Sequence, residues 1–346
     1  MSSNGFESAF GKIIEGCELC AAEMEFIMLE LIEGRLNDAQ IAAFLTAMRI
    51  KGETVGEITA SAAVLGIQAK RIDLKGIDCF DTCGTGGDGA NTFNVSTATA
   101  FVLAAAGVKV AKHGNRSVSS KCGSADVLEK LGIRADMPPE FVRKCIYKTD
   151  LGFMFAPLFH EGLKHAAIAR KSIGIRTIFN ILGPLLNPAG ARFRLLGVYK
   201  RALVAPLAIV LKNIGVMRAM VVHGEDGLDE ISINEKTYVS ELKEDKTIIE
   251  YTIDPAKYGL RRSDVSLIVG GTPELNAQII LSLFSGQRGA KRDMLLLNSA
   301  AALYIADKAS TIGDGFAFAA SLIDSGAVMS KLEELREFSR RCEYGA

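Results

Sequence analysis

The stretch Asp81-Thr82-Cys83-Gly84-Thr85-Gly86-Gly87-Asp88-Gly89 decides how this chain is read. It is preceded by Ile77 to Thr82, a short apolar run with the character of a buried strand. It is followed by Ser96 to Ala106, a helical run that Gly107 stops, and then by Val108 to Ala111, a second strand. A strand, a glycine-rich loop, a helix and another strand make a parallel pair with a right-handed crossover. Glycines in such a loop accept positive φ and let a ligand approach the backbone. The loop amides and the start of the next helix attract anions, and Asn94, Ser96 and Thr97 add side-chain donors there.

Gly84, Gly86 and Gly89 also fit a dinucleotide fingerprint, but the flanking chemistry does not. That site wants an acidic residue at the end of the second strand, where this chain has Lys112-His113. Asp88 inside the loop would also repel a diphosphate unless something intervenes. A turn that merely connects strand and helix would not need the cations that follow. The second loop, Lys112 to Ser124, offers Lys112 as a compact cation, Arg116 as a planar fork, and Ser119, Ser120 and Ser124 as hydroxyls. Two such loops at the carboxyl ends of neighbouring parallel strands face one another, which is where open α/β sheets bind ligands.

Outward from these loops the texture divides in two. Residues 1 to 72 read as helices only. Asn37-Asp38 caps a helix with Ile41, Phe44, Leu45 and Met48 on one face; Gly52 ends it, and Thr54 with Glu57 opens a capping box for the next. Beyond residue 73 strands and helices alternate, with further strands at Phe153 to Phe155, Leu195 to Tyr199 and Ala219 to Val222 and a helix at Val204 to Ile214. Tyr238 to Leu242 and Thr247 to Tyr251 read as a hairpin or edge strands, and the chain from Glu274 onward is mostly helical. The expected fold is therefore α/β: a small N-terminal helical domain (1–72) and a larger domain (73–346) around a mostly parallel sheet. Pro157 to Leu182 reads as helical and interrupts the alternation, so residues 165–190 are expected to pack back on the N-terminal helices and complete that domain.

The bulk composition excludes several classes. Lys plus Arg equal Asp plus Glu at 40 each, so there is no basic footprint for nucleic acid. Seven scattered cysteines are no disulfide framework, and Cys17 and Cys20 read as two residues on one apolar helix face. Met1 to Phe10 carries no signal-peptide pattern and no apolar run reaches membrane-spanning length, so a cytoplasmic protein without membrane contact is expected.

Several motifs occur together. Gly84-Thr85-Gly86-Gly87-Asp88, Asn94-Val95-Ser96-Thr97 and Lys112-His113-Gly114-Asn115-Arg116 come first; Phe155-Ala156-Pro157 and the run Arg176 to Pro188 follow; then come Val222-His223-Gly224, Leu228-Asp229-Glu230, Arg292-Asp293 and Leu296 with Asn298. As a set, spread over nearly the whole chain, they resemble the anthranilate phosphoribosyltransferases. The resemblance implies a homodimer formed through the helical parts, with phosphoribosyl pyrophosphate and anthranilate as substrates and magnesium as the cofactor. It implies that Gly84, Gly87, Asp88, Thr92, Asn94, Ser96, Thr97, Lys112 and Ser124 hold the ribose and phosphates. It implies that Ser96, Asp229 and Glu230 bind magnesium, and that His113, Asn115, His160, Arg170, Gly183 and Pro184 line the anthranilate path. Lys112, Asp229 and Glu230 become the catalytic set. A related nucleoside phosphorylase or another phosphoribosyltransferase of the same fold is the nearest alternative.

The chemistry agrees with this assignment. Displacing pyrophosphate builds charge on the leaving oxygens, which a lysine and a hydrated cation on adjacent carboxylates stabilise. A dipeptide such as Asp229-Glu230 is most often an exposed acidic pair; its place after the strand Ala219 to Val222 favours the site. An arylamine is neutral at pH 7 and attacks without a general base, so positioning and electrostatics are the expected main terms.

Overall fold

The N-terminal helices begin as their capping residues dictate. Asn37 accepts a hydrogen bond from Gln40 N at 2.9 Å while the Gln40 side chain returns one to Asn37 N, and Asp38–Lys51 follows as α3. Thr54 and Glu57 close the same reciprocal box at the head of α4, Val55–Gln68. Each such cap is worth about 1 kcal/mol. Glu57 does more than cap: wholly buried, it also accepts from Leu19 N and from the Lys51 ammonium at 2.8 Å. The computed structural model describes residues 4–117, 121–260, 262 and 264–341. Within it α1 is Asn4–Ile14 and α2 is Ala21–Ile32. Cys17 and Cys20 do not share a helix face as expected. Gly16, at φ 78°, turns the chain out of α1, and both thiols lie exposed in the connection, Cys20 as the N-cap residue of α2.

The remaining elements are β1 (Phe80–Gly84), α5 (Val95–Ala105), β2 (Val110–Gly114), α6 (Ser124–Lys130), α7 (Pro139–Thr149) and β3 (Leu151–Phe155). Then come α8 (Ala156–Phe159), α9 (Ala167–Ile173), α10 (Ile178–Leu182), β4 (Phe193–Gly197), α11 (Val204–Asn213) and β5 (Arg218–Gly224). The chain closes with β6 (Thr237–Leu242), β7 (Ile248–Ile253), α12 (Pro273–Phe284), α13 (Ala290–Ile305), α14 (Ile312–Asp324) and α15 (Ala327–Arg340). The seven strands form one sheet in the order β3-β2-β1-β4-β5-β6-β7; the first five are mutually parallel and β6 and β7 antiparallel. The mostly parallel sheet and its hairpin edge are as expected.

Strands β1 and β2 sit two to three residues later than the apolar runs that announced them. The ladder decides this: Phe80 through Gly84 pairs with Phe193 through Gly197, and Lys112 pairs with Phe153. Neighbouring backbone, not side-chain hydropathy, thus carries each strand on to its loop. Lys112 and His113 are consequently strand residues on a rigid frame.

Alternate residues of β4 and β5 face opposite cores. Leu195, Met220 and Val222 join one core with α5, α13 and α15; Leu196, Val198, Ala219 and Val221 join another with the N-terminal helices and α11. Both faces are covered, as a parallel sheet requires. The 157–182 segment is a series of short helical pieces, and its Ala166, Ala169, Ile178, Phe179 and Leu182 share the core of the N-terminal helices. Among the described residues no single helix is long and apolar enough to cross a membrane.

Candidate active site

The strand order reverses at β1: the chain leaves it for β2 and β3 on one side and returns through β4 and β5 on the other. The loops after β1, β2 and β5 gather at this switch point. Gly86, Gly87 and Gly89 take φ of 65°, 75° and 82°, a region that only glycine enters freely. Gly84 does not; it is needed because a Cβ there would stand 2.6 Å from Asp229 Oδ2. Helix α5, buried along most of its length, presents Ser96 and Thr97 in its first turn. The Thr97 hydroxyl is buried without a partner.

Two carboxylates enter this space from the loop after β5. Asp229 Oδ2 accepts from Gly86 N at 2.7 Å, and Asp88 Oδ2 lies 3.4 Å from Asp229 N. Burial, and then the Asp88 charge, push the Asp229 carboxyl up to about 7. Glu230 is held well above its ordinary range by burial and by Asp229, against the pull of Lys112 and a hydrogen bond from the Ser96 amide. A bound cation would relieve this crowding. Among the described residues no three His, Cys, Asp or Glu side chains converge into a ready-made cage. The donor set of two carboxylates and the Ser96 hydroxyl therefore suits a hard cation that completes its shell with substrate and water oxygens, the habit of magnesium.

Lys112 is 2% exposed. Its ammonium donates to Thr82 O at 2.5 Å and stands 3.5 Å from Ser96 Oγ. The cation is thus delivered from β2 to the mouth of the first loop. Asn94 does not cap α5 with its side chain. It donates to Cys122 O and accepts from Asn276 Nδ2 at 2.8 Å, tying the first loop to the second and to α12. Thr92 forms an isolated bridge with Val269, which steadies the outer part of the first loop.

The second loop is partly as expected. Ser124 opens α6, and Asn115 is exposed with its carbonyl accepting from Ala125 N. Arg116, expected to offer a fork to an anion, is turned away. Its guanidinium meets both oxygens of Glu129 and one of Asp126, and rests on the Phe155 ring. The carboxylates of α6 outcompete the site for it. Ser119 and Ser120 lie outside the described residues.

On the expected acceptor side, His113 and His160 pack edge to face at 5.1 Å. Burial, then the charges of His160 and Arg194, lower His113 to about 3, so the ring is neutral; its Nε2 is buried without a partner. His160 Nε2 lies 3.0 Å from Leu186 O. Arg170 is half-buried over the Phe179 ring at 5.0 Å.

The sequence implies no role for several further contributors, although Arg176 and Asn187 lie in the motif run Arg176 to Pro188. Arg194 donates to the carbonyls of Pro184 and Leu185, while Asn187 donates to Asp81 Oδ2 at 2.7 Å and to Ala111 O. Asp81 accepts from His113 N in turn. These buried polar groups seat the 183–188 turn on the sheet. Arg176 lies over Tyr199 at 4.3 Å and beside Gly87. Gly197 ends β4 where a Cβ would overlap the Asp229 carbonyl oxygen. Arg176 and Asn187 are signalled by that run; the parts played by Arg194 and Gly197 become visible only when strands are paired.

This chain, with a glycine-rich loop and an acidic pair at the switch point of its sheet, matches the glycosyl transferase family. Residues 76–329 match the description "Glycosyl transferase family, a/b domain" and residues 7–65 "Glycosyl transferase family, helical bundle domain". An anthranilate phosphoribosyltransferase of Petrotoga mobilis is 52% identical over 95% of this chain and 95% of its own length. One of Alkaliphilus metalliredigens is 51% identical over 96% and 98%. Among solved structures, the anthranilate phosphoribosyltransferase of Thermus thermophilus superposes with a TM-score of 0.89 at 38% identity, covering 96% of this chain and 99% of that one. The Saccharomyces cerevisiae enzyme in complex with PRPP and Mg superposes at 0.88 with 28% identity, covering 98% and 99%. The chain belongs to the anthranilate phosphoribosyltransferase family.

Proposed function

We infer that this protein transfers the 5-phosphoribosyl group of phosphoribosyl pyrophosphate to the amine of anthranilate, releasing pyrophosphate, in tryptophan biosynthesis. The observation that carries the reading is the meeting of the glycine loop, Lys112 and the Asp229-Glu230 pair at one switch point, in a chain of this family.

In this reading the amides of the 84–89 loop and the head of α5, with Asn94, Ser96, Thr97 and Ser124, hold the ribose and phosphates. Asp229, Glu230 and Ser96 would hold a magnesium ion, whose charge would stabilise the departing pyrophosphate. Lys112 adds a fixed ammonium on the same side. His113, His160, Arg170 and the Gly183-Pro184 turn shape the path of the aromatic acceptor, Arg170 or Asn115 pairing with its carboxylate. No group is required as a general base, because the arylamine is already neutral. Rate then comes from positioning and from electrostatics on an oxocarbenium-like transition state.

The same reading includes a homodimer formed through the helical part, a domain boundary near residue 72, and a cytoplasmic location. Anthranilate fluorescence tests the reaction. Loss of signal on adding phosphoribosyl pyrophosphate, dependent on magnesium and abolished in Asp229→Ala/Glu230→Ala, supports the assignment. Folded wild-type protein that leaves the signal unchanged removes anthranilate as acceptor.

A further inference from the structure

The acidic pair sits in the connection between β5 and β6, where no strand or helix satisfies the backbone. Ile231, the residue after Glu230, is fully buried there. Both of its main-chain polar groups need partners away from water. One side chain supplies both: Asn298 Oδ1 accepts from Ile231 N at 2.9 Å, and Asn298 Nδ2 donates to Ile231 O at 2.9 Å. The same amide donates to Met294 O one turn earlier on α13 and is 1% exposed, so its orientation is locked.

We propose that Asn298 is a positioning residue for the metal-binding carboxylates: its amide sets the peptide planes on either side of Ile231 and so aims Asp229 and Glu230 at the glycine loop. This rests on the reading of that pair as the magnesium ligands. The fit to asparagine is chemical. A fixed donor and acceptor side by side are required, and aspartate lacks the donor, leucine lacks both, and glutamine is a methylene too long on a helix that cannot retreat. At the next residue the bonds are local: Ser232 Oγ donates to Asp226 Oδ2, and Ser232 N donates to Thr237 Oγ1. Asn298 alone, among the hydrogen bonds described for the main chain of residues 229–231, reaches the connection from a distant helix, 67 residues along the chain. The tie therefore links the acidic pair to α13, which packs on α5.

The test uses the full-length protein and manganese as a paramagnetic probe, its free concentration read by electron paramagnetic resonance with phosphoribosyl pyrophosphate present. Asn298→Ala and Asn298→Asp should weaken manganese binding by about 10- to 100-fold, as removal of groups that orient metal ligands does elsewhere. Their KM for anthranilate should change less than about twofold by the same logic, since the acceptor side is untouched. Ser299→Ala is the control: that hydroxyl is buried without a partner on the same helix, and its loss should leave manganese binding unchanged. Folded Asn298 variants that bind manganese like wild type, with only a lowered melting temperature, overturn the proposal. Wild-type protein that binds no manganese overturns the metal reading itself. Should the variants not fold, hydrogen exchange of the wild-type Ile231 amide decides. Protection already present without metal supports the proposal, and fast exchange without metal overturns it.

Discussion

Asp229 Oδ2 lies 2.7 Å from the amide nitrogen of Gly86, 143 residues earlier in the chain. This bond joins the loop after β5 to the loop after β1, across the end of the intervening strand β4. Two bare glycines leave the room: a Cβ on Gly84 would stand 2.6 Å from Asp229 Oδ2, and one on Gly197 would overlap the Asp229 carbonyl oxygen. The glycine-rich loop and the acidic pair are therefore one unit.

Gly197→Ala should disable the site through sterics alone. The added methyl overlaps the Asp229 carbonyl oxygen, a rigid main-chain atom, so the acidic loop must move. Overpacking of this kind costs about 1–3 kcal/mol, read by urea denaturation. Activity should fall far more than stability, and steady-state rates with a magnesium titration will separate the two.

Lys112→Ala should lower kcat by about 10²- to 10³-fold, the usual loss for one preorganised charge at a leaving group. Lys112→Arg should not restore it, because the buried ammonium already occupies a point-like niche against Thr82 O. Stopped-flow fluorescence of anthranilate consumption measures both variants.

His113 gives a pH signature. Its folded value is depressed to about 3 from an ordinary 6.5, first by burial. The unfolded chain then binds a proton that the folded chain refuses as pH drops below about 6.5. Its contribution therefore makes the fold less stable on acidification through that window, by up to about 1.4 kcal/mol per pH unit, and has no effect above it. Denaturant melts at pH 5 and pH 8 should show a smaller difference in His113→Asn than in wild type.

Two arginines should part company. Arg116 is engaged by Glu129 and Asp126 at an exposed position, so Arg116→Ala should cost only about 0–1 kcal/mol and leave KM for phosphoribosyl pyrophosphate within about threefold. Arg176, laid over Tyr199, stands beside Gly87 of the glycine-rich loop, which is proposed to hold the phosphates. Arg176→Ala should raise that KM about tenfold or more, the loss of one charge-assisted hydrogen bond. Equal behaviour of the two variants would contradict this placement.

Legibility varied with the range of the interactions involved. The caps at Asn37 and Thr54 were readable because donor and acceptor lie within four residues. The same locality made Gly107 and Gly52 readable as helix stops. Cys17 and Cys20 misled: their i, i+3 spacing suggested a helix face, but Gly16 turns the chain before the pattern can act. Arg116 misled for a different reason. Its partners Asp126 and Glu129 lie on the next helix, and nothing local says which anion wins the fork.

By itself the sequence determined the two textures, the parallel order of the β1–α5–β2 unit and the glycine-rich loop between its strand and helix, because periodicity, caps and glycine conformations act over a few residues. The tertiary structure alone decided that Asp229 reaches Gly86, that Gly197 must be bare, and that Asn298 holds Ile231. Those facts depend on which strands become neighbours. Strand order is fixed by burying both faces of the sheet at once, a property of the whole chain that no short window contains.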